Sequence, residues 1–227
     1  MEIRFLGHAS FEIADGSARI LIDPFLQPDN PAAVVGPEEV DPTHVLLTHG
    51  HGDHMAHAVE VAKRTGATCV GLIELARWLS EQGVEDVVDP NLGGTVELEF
   101  GWVKLVPAFH TNTLPDGRVI GLSAGLVIGV GAATVYHLGD TCLFSDLRLI
   151  AERTPVNVAL VPIGGHYTMD QDDAVTAAEL LDADTVIPMH YDTFPPVEAD
   201  PERFKAEVES RTSSEVVILK PGESFTE

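Results

Sequence analysis

Cysteine is almost missing from this chain: Cys69 and Cys142 are the only two in 227 residues, far apart and without C-x-x-C spacing. Such sparse usage fits a reducing compartment and predicts two buried, inert thiols. Aromatic residues are also few, at 6%, so the core has to be built mainly from Val, Leu, Ile and Ala. Positive charge is scarce too. Against 36 Asp and Glu stand 13 Lys and Arg, a formal net charge of −23. A surface that acidic excludes nucleic-acid backbone and anionic membranes as partners, since both bind through basic patches. Its plain consequence is solubility; only four of the basic residues are lysine, which also fits adaptation to high salt. The N-terminus, "MEIRFLG", has an acidic second residue and no long apolar core. No signal peptide is expected from it, and the location reads as cytoplasmic.

One stretch lacks charge altogether. Residues 119–139, "VIGLSAGLVIGVGAATVYHLG", carry no Asp, Glu, Lys or Arg and are long enough to span a bilayer. Glycines at 121, 125, 129 and 131, with β-branched residues between them, fit a buried hairpin turning near 129–131 instead. The stretch also lacks an excess of flanking basic residues. No membrane span is expected.

What is present is ordinary for a folded soluble protein: 44% hydrophobic and 22% charged residues, in a chain long enough for one substantial core. Short strands open it, in "EIRFL", "ASFEIA" and "ARILID", followed by a loop over 24–42 that holds five of the 15 prolines. Strand "HVLLTH" leads to a helix in "MAHAVEVAKRTG" with a stop at Gly66. The order continues as a strand over 68–71, a helix over 72–82, strands "TVELEF" and "VKLVPAF", the hairpin, a helix over 145–153 and strand "NVALVPI". Thr168-x-x-Gln171 reads as a capping box opening the helix "DDAVTAAELLD". Strand "TVIPMH", a helix near 201–210 and strand "EVVILK" close the chain. No linker or low-complexity run divides it, so the reading is one α/β domain over residues 1–227.

The densest feature is "THGHGDH", residues 48–54, which places three of the ten histidines and an aspartate in one short segment. Imidazoles so crowded repel one another and lose side-chain freedom, so the cluster implies something bound to it. His49 and His51 can turn toward one metal ion, and the adjacent Asp53 and His54 can face a second. Nitrogen and carboxylate together suit hard and borderline divalent ions. Gly50 and Gly52 let the backbone bend tightly between ligands. Asp53 and His54 begin a helix, whose dipole favours an anionic group. His49, His110, Asp140 and His190 each sit at or just past the end of a strand, the edge where sites assemble in layered α/β folds.

"HGHGDH" resembles the signature of the metallo-β-lactamase superfamily. His110 in "VPAFHT", Asp140 in "YHLGDT" and His190 in "IPMHYDTFP" match its remaining ligands in order. The flanking segments "GHASFEI", "ILIDPFL", "NLGG", "YHLGDTCLF", "PIGGHYTM" and "VIPMHYDTFP" resemble small metal-dependent hydrolases near the L-ascorbate 6-phosphate lactonases, and the similarity runs nearly end to end. That resemblance implies a four-layer αββα sandwich with a dinuclear site between its halves. On this match His49, His51 and His110 hold one metal, Asp53, His54 and His190 hold the second, and Asp140 bridges them. A water or hydroxide between two divalent ions ionises near neutral pH, as a single zinc achieves with a pKa of about 7, and would attack a carbonyl or phosphoryl centre. Zinc is the leading ion, and the ligand set does not separate it from manganese or nickel. The implied substrate is a small lactone, ester or phosphodiester, with an anionic one allowed by the charge of the ions themselves. Relatives of this kind commonly assemble, which makes a homo-oligomer one possibility and leaves the oligomeric state open.

Two departures narrow the field. His51 stands where the diiron oxidoreductase branch typically carries glutamate, and the chain lacks the long insertions of the nucleic-acid-cleaving branches. A non-enzymatic metal-binding or sensing protein is the alternative from another class, and a diiron oxidoreductase on the same fold is a third. Asp53, His8 and His166 are the catalytic candidates. For His8 in "GHAS" and His166 in "GGHYTM", contact with a ligand or substrate stands against a hydrogen-bonded structural histidine. Asp23 in "LIDPF" either orients a ligand histidine or turns the chain before Pro24. His137 reads as a core or ligand-supporting histidine, His44 as ordinary structure, and His57 as lying on a helix surface. Thr111, Asn112 and Thr113 form a polar loop that either contacts substrate or merely turns.

Overall fold

Side chains alternate along the strands, and that alternation sorts the core into layers. A computed structural model describes the whole chain, Met1–Glu227. Strands β1 (Glu2–Gly7), β2 (Ser10–Asp15) and β3 (Ala18–Ile22) form an antiparallel meander. β4 (His44–Leu46), β5 (Thr68–Val70) and β6 (Val87–Val88) extend it in parallel, and β14 (Ser224–Thr226) returns to pair with β1. The second sheet repeats the plan. β7 (Thr95–Leu98), β8 (Gly101–Ala108), β9 (Ser123–Val130) and β10 (Ala133–His137) are antiparallel. β11 (Val158–Pro162), β12 (Thr185–Met189) and β13 (Glu215–Val216) then run parallel. The spatial orders are β14-β1-β2-β3-β4-β5-β6 and β13-β12-β11-β10-β9-β8-β7.

Ile20 and Ile22 of β3 meet Leu126 and Ile128 of β9 and Val158 and Leu160 of β11 in one buried cluster between the sheets. Their neighbours in sequence face the other way. Leu21 packs with Val61 of α2 (Ala58–Thr65) and with Leu75 and Leu79 of α3 (Ile73–Glu81). On the far side, Val127, Ala159 and Val161 pack under Leu147 of α4 (Leu147–Arg153), Ala178 of α5 (Gln171–Leu181) and Phe204 of α6 (Pro201–Arg211). The result is the αββα sandwich expected from the sequence. Residues 119–139 contain the β9–β10 hairpin, in which Val130 pairs with Ala133 across Gly131 and Ala132. No helix is long and apolar enough to cross a membrane.

Several local expectations need correction. The helix expected after the histidine cluster is two pieces, α1 (Gly52–Met55) and α2, and α2 does stop at Gly66 in the left-handed conformation. The capping box at Thr168 does not form. Asp170 caps α5 instead, accepting the Asp173 N–H at 3.0 Å, while the Gln171 amide reaches the Asp200 carbonyl. The strand expected at "EVVILK" is limited to Glu215 and Val216. The Cys142 thiol is exposed rather than buried. It lies in the loop that follows Asp140, beyond the strand ends, where no apolar layer covers it.

What positions the site is strand direction. β1, β3 and β4 run the same way in one sheet, as do β8, β10 and β12 in the other. Their C-terminal ends lead to His8, Asp23, His49, His110, Asp140 and His190.

Candidate metal centre

The chain leaves β4 extended, and His51 is the N-cap of α1 with φ −67° and ψ 148°. Its carbonyl accepts the N–H groups of His54 and Met55, each at 3.1 Å, so the extended segment breaks into a helical turn between His51 and Asp53. That break lets one short sequence offer side chains in two directions. Asn112, from the loop after His110, accepts the Gly50 N–H at 2.8 Å and ties the two histidine-bearing loops together. Gly139, beside Asp140, has φ 65°, and a Cβ there would stand 2.7 Å from the Ala124 carbonyl oxygen. Only glycine fits this approach.

His49 Nε2 lies 3.0 Å from His51 Nδ1, which lies 3.3 Å from His110 Nε2. A second group brings together His8, Asp53, His54 and His190, whose ligand atoms all fall within 4.8 Å of one another. Asp140 reaches both groups. Its Oδ1 is 3.2 Å from His54 Nε2, and its Oδ2 is 3.1 Å from His190 Nε2 and 3.5 Å from His110 Nε2. Behind the cluster, Asp23 Oδ2 is 2.8 Å from His54 Nδ1. Thr48 holds that carboxylate through its N–H at 2.9 Å and its hydroxyl at 2.6 Å. Asp23 thus orients His54, the role weighed for it from sequence.

These residues fit a metal. His8 Nε2, His54 Nε2, Asp140 Oδ1 and both ring nitrogens of His190 are buried without a hydrogen-bond partner. Orphaned buried polar atoms are costly, and here they converge on one place. The electrostatics agree. Burial, reinforced by His54, holds His49 well below the ordinary imidazole range, and burial lowers His51 and His110 too. Burial and His190 push His8 down to about 4. Burial opposes charge on Asp140, yet the His190 and His54 imidazoles outweigh it and hold the carboxyl well below its usual range. For His54 burial again opposes charge, but Asp140 and Asp23 on opposite ring nitrogens raise it strongly. Two carboxylates around one imidazole call for positive charge there, which a cation supplies.

Residues 2–190 match the beta-lactamase superfamily domain. Over 229 residues, spanning 99% of each chain, the protein is 50% identical to the UPF0173 metal-dependent hydrolase of Methanopyrus kandleri. The chain belongs to the UPF0173 metal-dependent hydrolases of the β-lactamase superfamily. A relative of the same description in Archaeoglobus fulgidus is 48% identical over 230 residues, covering 99% of this chain and 98% of its own. Among solved structures, Igni18 of Ignicoccus hospitalis KIN4/I, described as a novel metallo hydrolase, superimposes with a TM-score of 0.89 at 36% identity. That match covers 99% of this chain and 97% of the other.

In this UPF0173 protein the remaining histidines divide clearly. His8 is buried within the cluster. His166 stays outside it, exposed on the loop after β11, with its ring 4.5 Å from Tyr167 in an edge contact. The same loop is tied to the cluster's edge, where the Met169 N–H donates to the Thr141 carbonyl at 3.0 Å. His137 is a core residue whose Nε2 faces the Ala9 carbonyl at 2.9 Å. His44 lies at the start of β4, against Phe100, remote in the strand from the donors that follow its far end. His57 corrects the sequence reading: it is buried, not on a helix surface. Its Nδ1 accepts the Leu26 N–H at 3.1 Å, and its own N–H donates to the Pro24 carbonyl at 3.0 Å, pinning the proline-rich loop. Thr193, whose hydroxyl meets His8 Nδ1 at 2.9 Å, was not singled out from sequence. A contact across 185 positions leaves no local pattern to read.

Proposed function

We propose that the protein is a dinuclear metal-dependent hydrolase of neutral esters or lactones. His49, His51 and His110 would hold one divalent ion, Asp53, His54 and His190 the second, with Asp140 between them. The observation that carries this reading is the convergence of buried, unpartnered donor atoms on His8, His54, Asp140 and His190, beside the close group of His49, His51 and His110. When bound, two divalent ions supply Lewis acidity, polarising the electrophile and lowering the pKa of an attacking water toward neutrality. Zinc suits this donor mixture, and manganese and nickel share it.

The chain's own groups do the rest. Asp23 and Thr48 fix the His54 ring, and Asn112 fixes the loop that carries His49 and His51. Asp53 has a side chain 34% exposed, against 3% for Asp140 and 0% for Asp23. Of these carboxylates it alone opens to solvent, and it is placed to accept the proton of the attacking water. His166 and Tyr167, exposed on the loop after β11, would contact substrate.

The rim favours a carbonyl substrate over a phosphodiester. Phe109, next to His110, is 59% exposed and packs edge-on against Phe144 with centroids 4.9 Å apart. Tyr167 and Leu122 are exposed beside the same loops. The one basic residue in the loop after His110, Arg118, is held by Asp116 and Glu81 at 2.9 Å each. An apolar rim whose neighbouring arginine is already paired suits a neutral acyl or alkyl arm, whereas phosphates are clamped by Arg and Lys. The test is a panel of aryl esters, lactones and an aryl phosphodiester, assayed before and after chelation and metal restoration. Metal-dependent turnover of the esters or lactones is expected; turnover confined to the phosphodiester would overturn the substrate class, and turnover that survives complete metal removal would overturn the mechanism.

A further inference from the structure

His8 lies outside the ligand set that His49, His51, Asp53, His54, His110, Asp140 and His190 make up, yet it is buried among them. We propose that His8 is itself a metal donor, binding through Nε2 the ion shared by Asp53, His54 and His190. This rests on the dinuclear reading above and adds a residue to it.

Ring geometry makes the case. His8 Nδ1 is 2.9 Å from Thr193 Oγ1, so that nitrogen already has a partner. Nε2 is the ring atom left to face the cluster. Nε2 is buried, makes no hydrogen bond, and faces Asp53 Oδ2 at 3.3 Å. A buried imidazole nitrogen without a hydrogen-bond partner, beside a carboxylate oxygen, makes a donor pair that a bound cation would satisfy. His54 and His190 surround the same point.

The backbone is bent to deliver the ring. His8 has φ 61° and His190 φ 55°, a left-handed conformation that residues other than glycine seldom adopt and that clusters at functional sites. The His190 N–H donates to the His8 carbonyl at 2.7 Å, locking the end of β1 in one sheet to the end of β12 in the other. Their rings lie 3.9 Å apart, centroid to centroid.

The two ion positions then differ in kind. His8, Asp53, His54 and His190 give one ion four donors before Asp140 is counted, while His49, His51 and His110 give the other three. Filled coordination holds a metal in place, and an open position admits substrate. His8 therefore makes its ion the retained one and assigns substrate access to the side of His51 and His110, both partly exposed.

Loading the full-length protein with cadmium-113 tests this without reference to turnover. Scalar coupling between the metal and the ring protons of His8, alongside those of His54 and His190, is the expected result. His8→Gln should weaken binding at one of the two positions by more than the ~10–100-fold that losing a mere orienting partner costs. Couplings at His54 and His190 with none at His8 overturn the proposal, whatever the variant's affinity. Coupling at no histidine would remove the metal centre itself, and the proposal with it.

Discussion

Asp23 Oδ2 stands 2.8 Å from His54 Nδ1, with both side chains completely buried. The carboxylate is doubly held by Thr48, the residue immediately before His49. One aspartate therefore fixes both the entry to the histidine cluster and the orientation of its last member. Asp23→Ala should lower metal affinity by about 10–100-fold, the usual cost of an orienting partner. It should also destabilise the fold by about 1–3 kcal/mol for each buried donor left unpaired. Metal titration beside thermal melts checks both effects; unchanged affinity would separate Asp23 from the site.

His51 and Asp140 should behave differently. His51→Ala removes a donor from one group only, so one ion should be lost and turnover abolished while the second ion stays. Asp140 contacts His54, His110 and His190. Asp140→Ala should disturb both ions together, read as metal per chain after dialysis; selective loss of one would argue against its bridging position.

His57→Ala tests a purely structural histidine. Leu26 would lose the acceptor of its buried N–H, at a cost of about 1–3 kcal/mol in denaturant unfolding. Metal content should remain at the wild-type level.

The two thiols should part company. Cys142 is exposed, so a disulfide-exchange reagent at mildly alkaline pH should label one thiol in the native protein and two after unfolding. Burial pushes Cys69 from an ordinary 9.0 up to about 12. The folded state thus holds the Cys69 proton more tightly than the unfolded state does. That contribution to stability is intact below pH 9 and shrinks as pH rises from 9 toward 12. A Cys69→Ala variant should show a flatter loss of stability over that window.

Phe109→Ser should raise KM for esters with apolar arms and leave kcat within a few-fold, because Phe109 lies on the rim and donates nothing to the cluster. An equal effect on small and large esters would remove the rim from recognition.

The clustered residues were legible in the sequence because crowding in "HGHGDH" and placement at strand ends are local signals, and the structure brings those residues together. The layers were legible for the same reason: Ile20, Leu21 and Ile22 alternate within three positions. What the sequence concealed are relationships between distant positions. Thr193 meets His8, and His57 meets Leu26, only once the chain has folded. α2 has helical spacing that reveals which of its faces is apolar, but not that its N-cap lies under the loop over 24–42. β6 and β14 are too short to show alternation, and long-range pairing creates them. At Thr168 two capping signals overlapped, and the aspartate nearer the helix took the cap.

The most direct test of the central claim is elemental analysis of the untagged protein, giving metal identity and atoms per chain. The account predicts about two divalent ions per chain, with zinc or manganese restoring turnover after chelation. Two irons with redox activity would contradict the hydrolytic reading. Fewer than one ion per chain, unchanged after incubation with excess zinc or manganese, would contradict the metal centre itself.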